Sequence, residues 1–130
     1  MNTASTVAFS AVDLHRELDS SSDSEIDALD FGVISIDATG FVQRYNSFES
    51  TAAGVSRQRV IGQPLFTVVA PCMNNFMVAQ RLDDALANGT TLDDTIDYVL
   101  TFRMRPVKVR LRLLSAPHFA SRYVLVQRAV

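Results

Sequence analysis

Val107-Lys108-Val109-Arg110-Leu111-Arg112-Leu113 alternates apolar and basic residues without a break. A strand sends successive side chains to opposite faces, so a period of two predicts a half-buried strand, apolar in and basic out. Such a strand belongs in an antiparallel sheet with one packed face. The neighbouring sequence extends that sheet in both directions. Residues 122–128 read as a strand after it, and residues 93–104 as a long strand before it, with the chain turning at Pro106. Nearer the N-terminus, Phe31-Gly32-Val33-Ile34-Ser35-Ile36-Asp37 is rich in β-branched residues, and Phe41-Val42-Gln43-Arg44-Tyr45 follows it. Asp37-Ala38-Thr39-Gly40 between them supplies turn chemistry, so these two segments form a hairpin.

The centre reads as helical. Asn46 can cap a short helix running to about Ala53, with Gly54 placed to end it. Ser56 can cap another turn as far as Val60. Phe76, Val78, Leu82, Ala85 and Leu86 recur at helical spacing, which predicts a main helix over residues 75–88 closed by Gly89. Before the sheet, Val12, Leu14 and Leu18 share one helical stripe. Ser20-Ser21-Ser22-Asp23-Ser24 interrupts that stripe, and a second helical turn runs from Glu25 to Leu29. The order is therefore cap, two strands, helices, three strands. That is an α+β domain, a five-stranded antiparallel sheet with helices on one face. The chain divides into an N-terminal helical cap, residues 1–30, and a core, residues 31–130.

The chain has 130 residues, 48% of them hydrophobic, which suits one globular domain. Its longest apolar runs, such as Leu65-Phe66-Thr67-Val68-Val69-Ala70, fall far short of the ~20 residues of a membrane helix. Met1-Asn2-Thr3-Ala4-Ser5 does not open a secretory signal, and a single cysteine forms no internal disulfide, so a cytoplasmic protein is expected. A net charge of −2 argues against nucleic acid as the main partner. The charge is unevenly spread. Residues 1–30 hold seven acids and one arginine, whereas residues 103–128 hold seven bases and no acid. This describes either two solvated faces or an acidic cap docked on a basic sheet.

Cys72 lies in Val68-Val69-Ala70-Pro71-Cys72-Met73, past an apolar run and before the main helix. On composition alone, a lone cysteine in apolar company reads as an inert buried thiol. It cannot form a zinc site, and His15 and His118 fall in the cap and in a loop, so no nucleophile–base pair is indicated. Glycine-rich phosphate loops and the Gly-x-Ser-x-Gly elbow are missing, and an enzyme is not expected. Tyr45 and Glu49 stand four residues apart and would project on one side of a helix. Yet Asn46-Ser47-Phe48-Glu49 also fits a capping box, with Glu49 reaching back to the Asn46 backbone, and the pattern alone favours that cap.

In context these residues resemble the photoactive yellow protein family. The matching segments are Val7-Ala8-Phe9, Phe31-Gly32, Tyr45-Asn46-x-x-Glu49, Val60-Ile61-Gly62, Val69-Ala70-Pro71-Cys72 and Met104-x-Pro106-x-Lys108-Val109, in order and at nearly family spacing. The resemblance implies a PAS fold with a helical N-terminal cap and a blue-light receptor. It implies 4-hydroxycinnamic acid (p-coumaric acid) carried as a thioester on Cys72, its carbonyl held by the Cys72 N–H. Its phenolate would accept hydrogen bonds from Tyr45 and a protonated Glu49, with Ala70 and Pro71 beside the tail and Tyr98, Leu100 and Met104 near the ring. Two charge-assisted bonds at ~1.5–3 kcal/mol each can offset the cost of burying an anion. Burial beside that anion keeps a carboxyl protonated. Light-driven trans–cis isomerisation would then move the Glu49 proton to the phenolate, leave a buried carboxylate without a partner and release the cap toward a downstream signalling protein.

Three positions depart from the family. Ala53 stands where Thr is common, Val55 where an Arg commonly covers the phenolate, and Leu100 where Phe is common. Fewer polar supports imply a raised pigment pKa and an ultraviolet-absorbing fraction in the dark. A monomer or weak dimer, with no membrane partner, is expected. The alternative is a PAS module for ligand sensing or dimerisation that carries no covalent chromophore; a flavin light sensor lacks its asparagine–cysteine–arginine signature around Cys72.

Overall fold

The computed structural model describes residues 7–102 and 105–128. Five strands form one antiparallel sheet in the order β2-β1-β5-β4-β3, comprising β1 (Gly32–Ile36), β2 (Val42–Tyr45), β3 (Leu92–Phe102), β4 (Arg105–Ser115) and β5 (Arg122–Gln127). The hairpin expected at Asp37–Gly40 closes with Gly40 at φ 86°, and Asp37 Oδ1 accepts from the N–H of Thr39 and of Phe41. That positive φ is the reason a glycine sits there. The turn expected at Pro106 is displaced. Thr101 pairs with Pro106 and Phe102 with Arg105, so Pro106 lies inside β4.

On one face sit α3 (Ser47–Ala53), α4 (Arg57–Val60), a π-type turn (Leu65–Val69), a 3₁₀ turn (Pro71–Met73) and α5 (Ala79–Asn88). Asn46 caps α3 by accepting the Glu49 N–H, and Gly54 ends it at φ 70°. α5 begins four residues later than its periodicity suggested. Asn75 Oδ1 accepts from the N–H of Met77 and of Val78, a local bond that competes with a helical turn and leaves Phe76 78% exposed. Beneath these elements, Ile34, Ile36, Val42, Leu65, Met73, Leu82, Leu111, Leu113, Val124 and Val126 form the main core.

The cap covers the opposite face, through α1 (Leu14–Ser20) and α2 (Asp23–Asp27). Phe9, Leu14, Leu18, Ile26 and Leu29 pack with Phe31, Val33, Leu114, Tyr123 and Leu125 in a second core. Val12 does not join them; it is 87% exposed. The simple rule of basic side chains outward also fails at Arg112, which is buried. Its Nη1 donates to the carbonyls of Phe9 and Ala11 at 2.8 and 2.9 Å, while Nε and Nη2 pair with Asp93. The acidic segment itself turns elsewhere, Asp23 to Arg44, Asp27 to Arg57 and Asp19 to the Tyr123 hydroxyl. Among the described residues, therefore, the cap rests on apolar packing and on side chains of the core that hold its backbone, Arg112 at Phe9 and Ala11, Arg44 at Leu18 and Ser21, and Asn46 at Ile26, with Asp23, Asp27 and Asp19 turned to Arg44, Arg57 and Tyr123.

Candidate functional site

The polar end of the site is built where β2 runs into α3. Asn46, 2% exposed, organises it with four hydrogen bonds. Its Oδ1 accepts from the Val33 and Glu49 N–H groups, and its Nδ2 donates to the carbonyls of Ile26 and Phe31. This is half of a capping box. The other half does not form, because the Glu49 carboxylate turns away from Asn46 and pairs with Arg128. Arg128 Nη1 lies 2.6 Å from Glu49 Oε1 and Nη2 lies 3.1 Å from Oε2, with the two side chains 16% and 1% exposed. Gly32 on β1 leaves the room for this, since a Cβ there would overlap Glu49 Oε1. Burial holds the Glu49 carboxyl above its ordinary pKa, and the Arg128 hydrogen bond and charge pull it back.

Tyr45, at the end of β2, is 3% exposed and belongs to the main core. Burial keeps its phenol protonated well above the ordinary range, the Glu49 charge adds to that and the Arg128 charge opposes it. Both ionisable neighbours of Tyr45 are thus felt at its hydroxyl.

Cys72 sits half-buried in the 3₁₀ turn and carries a free thiol. The turn is closed by Met73 N–H on the Ala70 carbonyl and Asn74 N–H on the Pro71 carbonyl. The Cys72 N–H, as in any first turn, lies outside that ladder. Its carbonyl is clamped, accepting from the Tyr98 hydroxyl at 2.5 Å and from Asn75 Nδ2 at 3.3 Å, while Asn75 also donates to the Tyr98 oxygen at 2.6 Å. Beside this clamp a depression of about 720 Å³ opens between Asn75, Met77, Tyr98, Val99, Lys108 and Arg110.

The residues singled out in the sequence fall together in large part. Tyr45, Ala70 and Leu100 are buried members of the main core, against which Val55, Cys72 and Tyr98 pack. Ala53 is buried on α3, Pro71 is exposed at the start of the 3₁₀ turn, and Met104 lies outside the described residues. Arg128 and Asn75 were not anticipated. Asn75 carries no signal beyond being an asparagine before a helix. Arg128 does carry one, for it shares parity with Val124 and Val126, whose side chains face the helices.

The PAS fold family matches residues 26–126. Photoactive yellow protein from Rhodothalassium salexigens is 33% identical over 122 residues, covering 94% of this chain and 97% of that protein. Photoactive yellow protein from Halochromatium salexigens is 34% identical over the same shares. Among solved structures, the photoactive yellow protein domain of the sensor histidine kinase Ppr from Rhodospirillum centenum superposes with a TM-score of 0.77 at 38% identity, over 85% of this chain and 96% of that one. The chain belongs to the photoactive yellow protein family, within the PAS fold.

Proposed function

We propose that the chain is a blue-light receptor that carries 4-hydroxycinnamic acid as a thioester on Cys72. The observation that carries this reading is the gathering of Tyr45, Val55, Cys72, Tyr98 and Leu100 in and against one apolar core, with the buried Glu49 at its polar end, in a chain of this family. These residues fit a flat aromatic acid with an anionic tip. Apolar side chains supply the walls, a half-buried thiol supplies the anchor, and a carboxyl and a phenol supply the donors. When bound, the pigment supplies a double bond that light isomerises and a phenolate that can be protonated.

The remaining steps belong to the protein. Cys72 Sγ loses its proton and bonds the carboxyl carbon of an activated acid, whose leaving group departs with the electron pair. The Tyr98–Asn75 clamp on the Cys72 carbonyl fixes the turn that presents this sulfur. Tyr45 stays protonated and donates from its hydroxyl. Glu49, protonated at one oxygen, donates to the pocket in the dark and gives up that proton after illumination. Ala70 and Pro71 flank the tail, and Leu100, Val55 and Ala53 exclude water around the polar end. Release of the cap, residues 1–30, from the core, residues 31–130, is the output read by a signalling protein. A cytoplasmic monomer or weak dimer completes the proposal.

Intact mass tests it. After incubation with the activated acid, the chain should gain one hydroxycinnamoyl mass, lose it in hydroxylamine, and gain nothing as Cys72→Ala. An unmodified chain would instead leave a PAS module that senses a ligand or dimerises without covalent pigment.

A further inference from the structure

The pair between Glu49 and Arg128 is not part of that expectation, which leaves an ionised Glu49 without a partner. Both carboxylate oxygens accept from the guanidinium, at 2.6 and 3.1 Å. Arg has only donors and an ionised carboxylate offers both oxygens as acceptors, so this two-pronged arrangement suits the carboxylate better than the acid. Arg128 follows β5 directly, and Gly32 on the adjacent β1 provides the gap through which the two side chains meet. Among the described residues, the charged or titratable groups facing Glu49 are Arg128, from the end of β5, and Tyr45, from the end of β2. Val55, meanwhile, leaves an apolar lid where the family commonly places an arginine.

We propose that Arg128 is a positioning residue and the counter-ion of the pocket's polar end, holding Glu49 as a carboxylate whenever no phenolate is present and remaining as the cation when Glu49 takes a proton. The charge balance is closed. With a phenol in the pocket and a Glu49 carboxylate, one anion faces one cation. With a phenolate and a protonated Glu49, the same proton has moved between the two oxygens and one anion still faces one cation. Arg128 thus substitutes, from the end of the central strand β5, for the cation missing at Val55. It also gives the ionised Glu49 formed after illumination a place to go, and ties that state to the end of β5. The part concerning the phenolate rests on the proposed function; the part concerning Glu49 does not.

The decisive measurement is made on the pigment-free chain by following the Glu49 carboxyl carbon by NMR as pH is varied, assigned by its loss in Glu49→Gln. Wild type should be ionised at pH 7. Arg128→Gln should raise its proton affinity on the order of tenfold, a shift of about one pKa unit. Arg128→Lys, which keeps the charge but not the two-pronged contact, should fall between them. A Glu49 protonated at pH 7 in the wild type, or a titration that Arg128→Gln and Arg128→Lys leave unchanged, overturns the proposal. If Arg128→Gln fails to fold, wild type and Arg128→Lys still decide. In pigment-bearing protein, the infrared carbonyl band of a protonated Glu49 should appear in the dark. Failure of pigment attachment would remove only this last arm, and failure of the Arg128 arms would leave the attachment untouched.

Discussion

The Tyr98 hydroxyl donates to the carbonyl oxygen of Cys72 across 26 positions of sequence, at 2.5 Å, and Asn75 joins both. The contact fixes the only cysteine of the chain from its backbone side and leaves the sulfur free. Tyr98→Phe keeps the ring packed against the core and removes the donor. A lost hydrogen bond of this kind costs about 1 kcal/mol, so the pigment-free chain should melt a few degrees lower. With the turn loosened, Cys72 should also react faster with a thiol reagent. Unchanged alkylation would mean that Asn75 alone holds the turn.

Arg112 gives a second prediction, about the cap. It is 7% exposed and clasps the carbonyls of Phe9 and Ala11. Arg112→Met keeps most of the apolar stem but strips two charge-assisted bonds from the cap, each worth ~1.5–3 kcal/mol. Limited proteolysis near residues 10–13 should then accelerate by at least about tenfold at equal global stability. Salt should do little by comparison. The exposed ion pair to Asp23 is screened within ~8 Å at physiological ionic strength, whereas the Phe9, Leu14 and Leu18 packing is not. A cap that detaches in moderate salt would restore direct acid-to-base docking as its holding force.

Glu49 sets a pH dependence whose sign is fixed by its direction of shift. Its carboxyl is raised in the folded chain, chiefly by burial, so the native state binds protons that the unfolded state has already lost. Stability of the pigment-free chain should therefore fall as pH rises from the ordinary carboxyl value through the raised folded one. Glu49→Gln should flatten that limb of the profile. Gly32→Ala, whose Cβ would overlap Glu49 Oε1, should expel the side chain and cost roughly 1–3 kcal/mol across the whole range. Parallel pH profiles for wild type and Glu49→Gln would assign the limb to another group.

The parts legible in the sequence were those decided locally. Asn46 and Gly54 bound α3 because caps act within one helical turn. The five strands and the β1–β2 hairpin followed from alternation and turn chemistry, whereas their order in the sheet, with β5 between β1 and β4, did not. What escaped was decided across long separations. Glu49 reads as a capping-box acid until Arg128, 79 positions away, competes for it. Arg112 obeys the alternation that puts it on the outer face, but that face is itself covered by the cap. Periodicity likewise extends α5 back to Phe76, because it does not see the side chain of Asn75 taking the Met77 and Val78 N–H groups. The family segments located Tyr45, Glu49 and Cys72, and no local pattern would have joined them.

The colour of the dark state is the remaining consequence. Val55 is partly buried against the core and Ala53 is buried on α3, and neither side chain carries a hydrogen-bond donor. Fewer donors stabilise the phenolate less and raise its pKa, which puts more of the pigment in the protonated, ultraviolet-absorbing form at a given pH. Arg128 works against this from the Glu49 side. Pigment-bearing wild type should accordingly show an ultraviolet band that grows reversibly as pH is lowered in the dark. Val55→Arg, adding a second cation, should move the midpoint down, and Arg128→Gln should move it up, each on the order of a pKa unit. Absorbance titration in the dark reads all three. A single blue band that persists into acid in the wild type would mean that Tyr45 and Glu49 suffice without Thr or Arg beside them.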